Sequence, residues 1–207
     1  MKKLLLSIIS VTLMFQSYAQ KGEIQLGAKA GLNFATLTGD LDDAKGRTSF
    51  HLGGIAELPM TDKLSIQPEL LFSSQGATFD SDALSLNYIN VPILAKYYVT
   101  EELSLEVGPY VGYLLSANIK YETEGDDLNP NTSGERSSTK ASEKEDVKDD
   151  IKSLDFGLNV GLGYKMPSGL NFAARYVLGL ANASDFENSS QEFKNRVFQI
   201  SIGYFFL

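Results

Sequence analysis

The sequence contains no cysteine. Disulfides, thiolate metal sites, a cysteine nucleophile and a lipid-modified N-terminal cysteine are therefore all excluded. Histidine occurs once, at His51, and basic charge is scarce, with 18 Lys and Arg against 26 Asp and Glu for a formal charge of −8. That balance argues against nucleic acid or an anionic membrane surface as the main partner. Beyond the first twenty residues no apolar run approaches the roughly 20 residues that a membrane-spanning helix needs.

At the N-terminus, Lys2 and Lys3 precede an apolar stretch from Leu4 to Phe15, then Ser17, Tyr18 and Ala19 before Gln20. This is the charged, apolar, cleavable layout of a secretory signal peptide. The alternative, a buried N-terminal core helix, would not bring these three features together. Cutting after Ala19 leaves 207 − 19 = 188 residues, enough for one domain, and loss of two lysines takes the charge from −8 to −10.

The remaining chain alternates. Between Ile24 and Phe34 the even positions are Ile24, Leu26, Ala28, Ala30, Leu32 and Phe34, and the odd ones are Gln25, Gly27, Lys29, Gly31 and Asn33. A strand with one apolar and one polar face follows. The pattern returns in Phe50–Leu58, Leu64–Phe72, Leu84–Val99, Leu103–Ile119, Leu154–Met166, Leu170–Leu180 and Arg196–Phe206. In the fourth run the apolar phase changes from Leu84, Leu86, Tyr88 to Ile89, Val91, Ile93, which predicts a bulge near Tyr88 to Asn90. In the fifth, Leu103, Leu105, Val107, Pro109, Val111, Tyr113, Leu115 and Ala117 share one apolar face, with Tyr110 and Leu114 on the inward one.

Eight runs, joined alternately by tight turns (60–63, 100–102, 167–169) and longer connections (35–49, 76–83, 121–150, 181–192), predict an all-β fold. The expected architecture is an eight-stranded antiparallel up-and-down transmembrane β-barrel, with short turns in the periplasm and long loops outside. Closure removes the strand edges that lipid cannot satisfy. Residues 121–150 carry ten acidic and four basic side chains and almost no apolar ones after Tyr121. Such a stretch cannot bury enough surface to offset its ordering entropy and is predicted to be a long, acidic, mobile external loop.

Several strings then carry a family likeness: Tyr88-Ile89-Asn90-Val91-Pro92-Ile93, Gly108-Pro109-Tyr110-Val111-Gly112, Asp155-Phe156-Gly157-Leu158 through Gly161-Leu162-Gly163-Tyr164, and Ala174-Arg175-Tyr176 with Gly179-Leu180. In order and spacing they resemble the small porin-family outer-membrane β-barrel proteins of Bacteroidetes, over essentially the whole mature chain. The final Gln199-Ile200-Ser201-Ile202-Gly203-Tyr204-Phe205-Phe206 is similar to the aromatic-ending strand that barrel-assembly machinery reads, with Leu207 beyond it. The resemblance implies location and fold, and no demonstrated pore.

Alternation places Lys29, Glu57, Glu69, Lys96, Glu106, Asp155, Lys165 and Arg175 on the inward face, four charges of each sign. Because buried charges persist only when paired, they are expected to form a salt-bridged plug; a charged permeation path or proton relay is the alternative. His51, two residues after Ser49 on the inward face near the external rim, offers a weak hydrolytic pairing in the manner of lipid-hydrolysing barrels. A rim histidine bonded to loop groups is the preferred reading. Asp40, Asp42, Asp43, Asp80 and Asp82 could ligate a hard cation but lack a full calcium-loop spacing and are taken as solvated loop acids. Gly157, Gly161 and Gly163 lie within a strand and open no helix, so they are read as making room for bulky inward neighbours.

Three functions remain open: a structural or surface-interaction protein acting through its external loops, a narrow porin-like pore, and a lipid-modifying enzyme resting on Ser49 and His51 alone. The first is preferred, with no enzymatic activity, cofactor, metal or nucleic-acid partner. Outer-membrane lipid, the assembly machinery during biogenesis and a surface partner at the loops are its expected contacts, and the chain is expected to be a monomer.

Overall fold

The computed structural model describes residues 23–39, 45–79, 82–125, 139–148, 151–182 and 193–206. The signal segment 1–19 lies outside them. Strands run Gln25–Gly39 (β1), Lys45–Pro59 (β2), Leu64–Phe79 (β3), Asp82–Tyr98 (β4), Leu103–Gly125 (β5), Thr139–Asp146 (β6), Leu154–Lys165 (β7), Leu170–Gly179 (β8) and Phe193–Phe205 (β9). Each pairs antiparallel with its neighbours, and β1 pairs with β9 over Gly27↔Phe205 to Gly39↔Phe193, which closes an eight-stranded barrel. No described helix is long and apolar enough to cross a membrane, and none is needed where closed strands satisfy their own backbone.

The outer face is apolar because alternate residues have no protein to pack on. Leu32, Leu52, Leu70, Ile93, Val107, Phe156, Val160, Ile200 and Ile202 are all exposed on it. A continuous apolar surface around the molecule is far larger than the patches water-soluble proteins tolerate. Tight turns close one end. In the β7–β8 turn Gly169 has φ +89°, and its carbonyl accepts from Phe205 N at 2.9 Å. A side chain there would meet strained backbone.

Two expectations need correcting. The strands outrun their apolar stretches: β1 continues to Gly39, β3 to Phe79 and β4 begins at Asp82, so the first two long connections are shorter than 35–49 and 76–83. Past the apolar belt a ladder needs only backbone partners, and the alternation signal fades before the strand does. For the same reason the described ends of the acidic 121–150 segment are strand. β5 extends to Gly125, and β6 pairs with it from Asn118↔Asp146 to Gly125↔Thr139.

The bulge also lies elsewhere. Asn87 pairs with Ser116 and Tyr88 with Leu114, so the extra residue is Leu115, on β5. Strand β4 keeps one phase throughout, with Leu84, Leu86, Tyr88, Asn90, Leu94 and Lys96 all buried inside. Ala117, beyond the bulge, is inside as well. The apolar residues at the long-loop end of β4 do not face lipid: they join Leu37, Ala77, Leu114, Ile151 and Phe193 in an apolar cluster within the barrel mouth.

Candidate functional site in the barrel interior

The interior is layered along its axis. At the short-turn end a cup of about 470 Å³ opens between Glu23, Glu57, Asp62, Glu101, Glu102 and Lys165. Its floor is charged. Lys96 Nζ lies 3.1 Å from Glu57 and 3.7 Å from Glu106, and Lys165 Nζ lies 3.2 Å from Glu57. Lys165 also bonds Gln25, and its ammonium stands 4.6 Å from the centre of the inward Phe205 ring. Tyr98 OH donates to Glu57 at 2.5 Å.

One level deeper, Glu69 takes Lys29 Nζ at 3.0 Å and both terminal nitrogens of Arg175 at 2.8 Å, while Arg175 Nε donates to Glu106 at 2.6 Å. Seven of the eight inward charges thus form one network of alternating sign, running Lys29, Glu69, Arg175, Glu106, Lys96, Glu57, Lys165. All but Lys165 are buried. In so buried a setting the bidentate fork of Arg175 both satisfies Glu69 and fixes its orientation.

Asp155 departs from the expected set. It receives Tyr110 OH at 2.9 Å and Asn195 Nδ2 at 3.0 Å, and no ion pair reaches it among the described residues. The eight charges therefore do not balance as a single plug. Four cations face three carboxylates in the network, and Asp155 stands apart, nearer the long loops.

His51 also differs from its expected setting. It is fully buried, and its partners belong to strands β1 and β9 rather than to loops. Asn33 Oδ1 already accepts from Gln199 Nε2 at 2.8 Å, so it accepts from His51 Nδ1 at 2.7 Å as well. That leaves Nε2 to accept from Ser201 Oγ at 2.8 Å. Ser49 instead donates to the Ser74 carbonyl at 2.7 Å. The serine meeting His51 is thus Ser201, 150 residues away, which spacing along one strand could not reveal.

Inward glycines govern which partners meet. Gly161 pairs with Arg175 on one side and Glu106 on the other, and a Cβ on it would lie 2.6 Å from Arg175 Cγ. Gly31 likewise separates His51 from Ser201, and its Cβ would lie 2.7 Å from the imidazole. A missing side chain on the middle strand lets its two neighbours bond across it. The expected role of Gly161 and Gly163 as room-makers is seen directly, since Gly163 makes the same allowance for Glu106.

Of the suggested calcium ligands, Asp40, Asp42, Asp43 and Asp80 lie outside the described residues, and Asp82 opens β4. No group of three or more His, Asp or Glu side chains among the described residues is placed to hold a metal.

The sequence profile of the family described as outer membrane protein beta-barrel domain matches residues 16–185. No curated protein matches the chain. Among solved structures, Neisserial surface protein A is 10% identical with a TM-score of 0.53, over 89% of this chain and 100% of that one. Ail, the attachment invasion locus protein of Yersinia pestis, is 14% identical with a TM-score of 0.49 over the same shares, 89% and 100%. The E. coli outer membrane protein W is 13% identical with a TM-score of 0.39, over 90% and 100%. The likeness to Neisserial surface protein A is one of fold.

Proposed function

The chain belongs to the outer membrane protein beta-barrel domain family, and from that premise we propose that this integral outer-membrane barrel has a blocked lumen and acts at the cell surface through its long loops. It is exported by a signal peptide at 1–19 and is of the small porin-family type found in Bacteroidetes. Its short turns face the periplasm. Lipid surrounds it, assembly machinery inserts it, and a surface partner meets the loops, chiefly the acidic segment that includes the β5–β6 hairpin.

The carrying observation is the seven-charge network, in which six members are buried and each carboxylate meets at least one cation within 3.1 Å. Eight strands enclose little more than their own side chains, and these side chains are tied to one another. A non-enzymatic role is supported by the position of Ser201 and His51 on the inner wall, turned away from lipid. The test is recording of the purified protein in a planar bilayer. No steady conductance of general-porin size is expected; large, stable, reproducible open levels would overturn the blocked-lumen reading in favour of a pore.

A further inference from the structure

Strands β6 and β7 follow one line along the barrel wall. At Asn118 to Lys120, β5 pairs with β4 on one edge and with β6 on the other, so β6 lies along the edge that β7 takes from Leu103 to Tyr113. Between the two ladders the chain lengths do not match: seven residues, 147–153, stand opposite four, 114–117. Both ends of the longer stretch are tied to β5. Val147 N donates to the Ala117 carbonyl at 3.0 Å, and Leu114 N donates to the Ser153 carbonyl at 2.8 Å. Surplus chain pinned at both ends has to leave the line of the wall. Within it, Ile151 N donates to the Lys148 carbonyl at 3.3 Å.

At Ile151 the departure is inward. From Glu143 to Ser153 only Val147 and Ile151 are apolar. Lys152 and Ser153 are exposed, whereas Ile151 is only 4% exposed. It belongs to the cluster that holds Leu37 of β1, Leu86 of β4, Ala117 of β5 and Phe193 of β9, and Val147 packs against that cluster. In the closed strand order β1 and β9 stand across the barrel from β4 and β5, so the cluster crosses the lumen instead of lining one side of it. An apolar cross-section offers water few hydrogen-bond partners, and hydrophobic constrictions close a passage by dewetting.

We infer that Ile151 is the stopper of the long-loop mouth: the surplus of the β6–β7 connection delivers it into the lumen, where it completes an apolar seal above the polar interior. The stopper deepens the blocked-lumen reading, on which it rests, by placing an apolar barrier in series with the charged one. The two barriers share no residue, since the cluster contains no member of the seven-charge network. Either one can therefore be removed with the other left in place.

The test uses a single cysteine at Ala117→Cys, in the stretch of β5 that faces the surplus chain, and a water-soluble, membrane-impermeant thiol reagent added to the purified full barrel. Retained folded gel mobility shows that each variant is assembled. Slow reaction is expected in the otherwise unchanged barrel, and a rate several-fold higher when Ile151→Ser is added. Lys152→Ser, which alters an exposed neighbour, should leave the slow rate unchanged. The stopper is overturned if Ala117→Cys reacts as fast as an exposed Lys152→Cys, if Ile151→Ser leaves its rate unaltered, or if Lys152→Ser raises it equally. Should Ile151→Ser fail to assemble, Ile151→Ala is read in the same way. Planar-bilayer recording of Ile151→Ser separates the two barriers. Silence is expected because the charge network remains. Steady currents together with the faster labelling would uphold the stopper and overturn the charge network as a barrier.

Discussion

Arg175 joins two carboxylates of the interior network. It satisfies Glu69 through two nitrogens and Glu106 through a third, all at 2.8 Å or less. Arg175→Ala leaves Glu106 with only Lys96 at 3.7 Å and Glu69 with only Lys29 as cationic partners. A loss of about 3–5 kcal/mol is expected from breaking a buried pair in this way, measured by urea unfolding in detergent. Asp155, which does not touch Arg175, should be unaffected. Gly161→Ala tests the same contact from the other side. Its new Cβ would lie 2.5 Å from the Ala174 carbonyl and 2.6 Å from Arg175 Cγ, and Arg175 is too tightly bonded to give way. Overpacking of this kind costs on the order of 1–3 kcal/mol, whereas Gly46→Ala, whose Cβ would find nothing nearer than 3.9 Å, should be close to neutral in the same assay.

At the scale of elements, the bulge on β5 decides which residues meet lipid. Alternation puts Leu86 and Ala117 on the apolar faces of their strands, but both are fully buried within the barrel, as is Leu114 on the inward face of β5, while Val111, Tyr113 and Leu115 are exposed. The absence of cysteine makes single-cysteine labelling unambiguous. A fluorophore at Val91→Cys, Val111→Cys or Leu115→Cys is expected to be quenched by a lipid-soluble quencher. Leu86→Cys and Ala117→Cys should remain unlabelled in the assembled barrel. Labelling of Leu86→Cys from the lipid phase would return the phase change to β4. The β5–β6 hairpin belongs to this scale too: closure runs through β5–β7 at Leu103↔Tyr164 to Tyr113↔Leu154, so β6 extends the wall without completing it.

For the whole molecule, closure is the source of resistance to unfolding. Every barrel strand has a partner on both sides, from β1–β2 around to β9–β1, and no edge is left from which detergent can begin to separate the ladder. Unheated samples are therefore expected to migrate differently from boiled ones on detergent gels, and the protein to fractionate with outer membranes. Identical mobility before and after boiling, or recovery in the soluble periplasmic fraction, would contradict a closed membrane barrel. The interior network adds to this resistance because its pairs, Lys96 with Glu106 excepted, link strands that are not neighbours. Lys29 on β1 reaches Glu69 on β3, and Arg175 on β8 reaches the same carboxylate.

The sequence by itself determined the eight barrel strands, the lipid-facing side of most of them and the inward position of all eight charges. Lipid is a uniform apolar surrounding, and every residue facing it obeys one rule, so period-two alternation is legible wherever a strand crosses it. The interior is not uniform. Apolar side chains fill its long-loop mouth and charged ones its middle, so the inward face of β4 changes character at Asn90 with no change of strand phase, and alternation alone could not separate that from a bulge. Partner choice was equally hidden. Lys29 and Glu69 are 40 residues apart and His51 and Ser201 150 apart; only the stagger of a closed ladder, with glycines on the intervening strands, brings them together. The same stagger places Asp155 across Gly112 from Asn90 and bonds it to Tyr110 and Asn195, a placement that follows from barrel closure and from no local pattern in the chain.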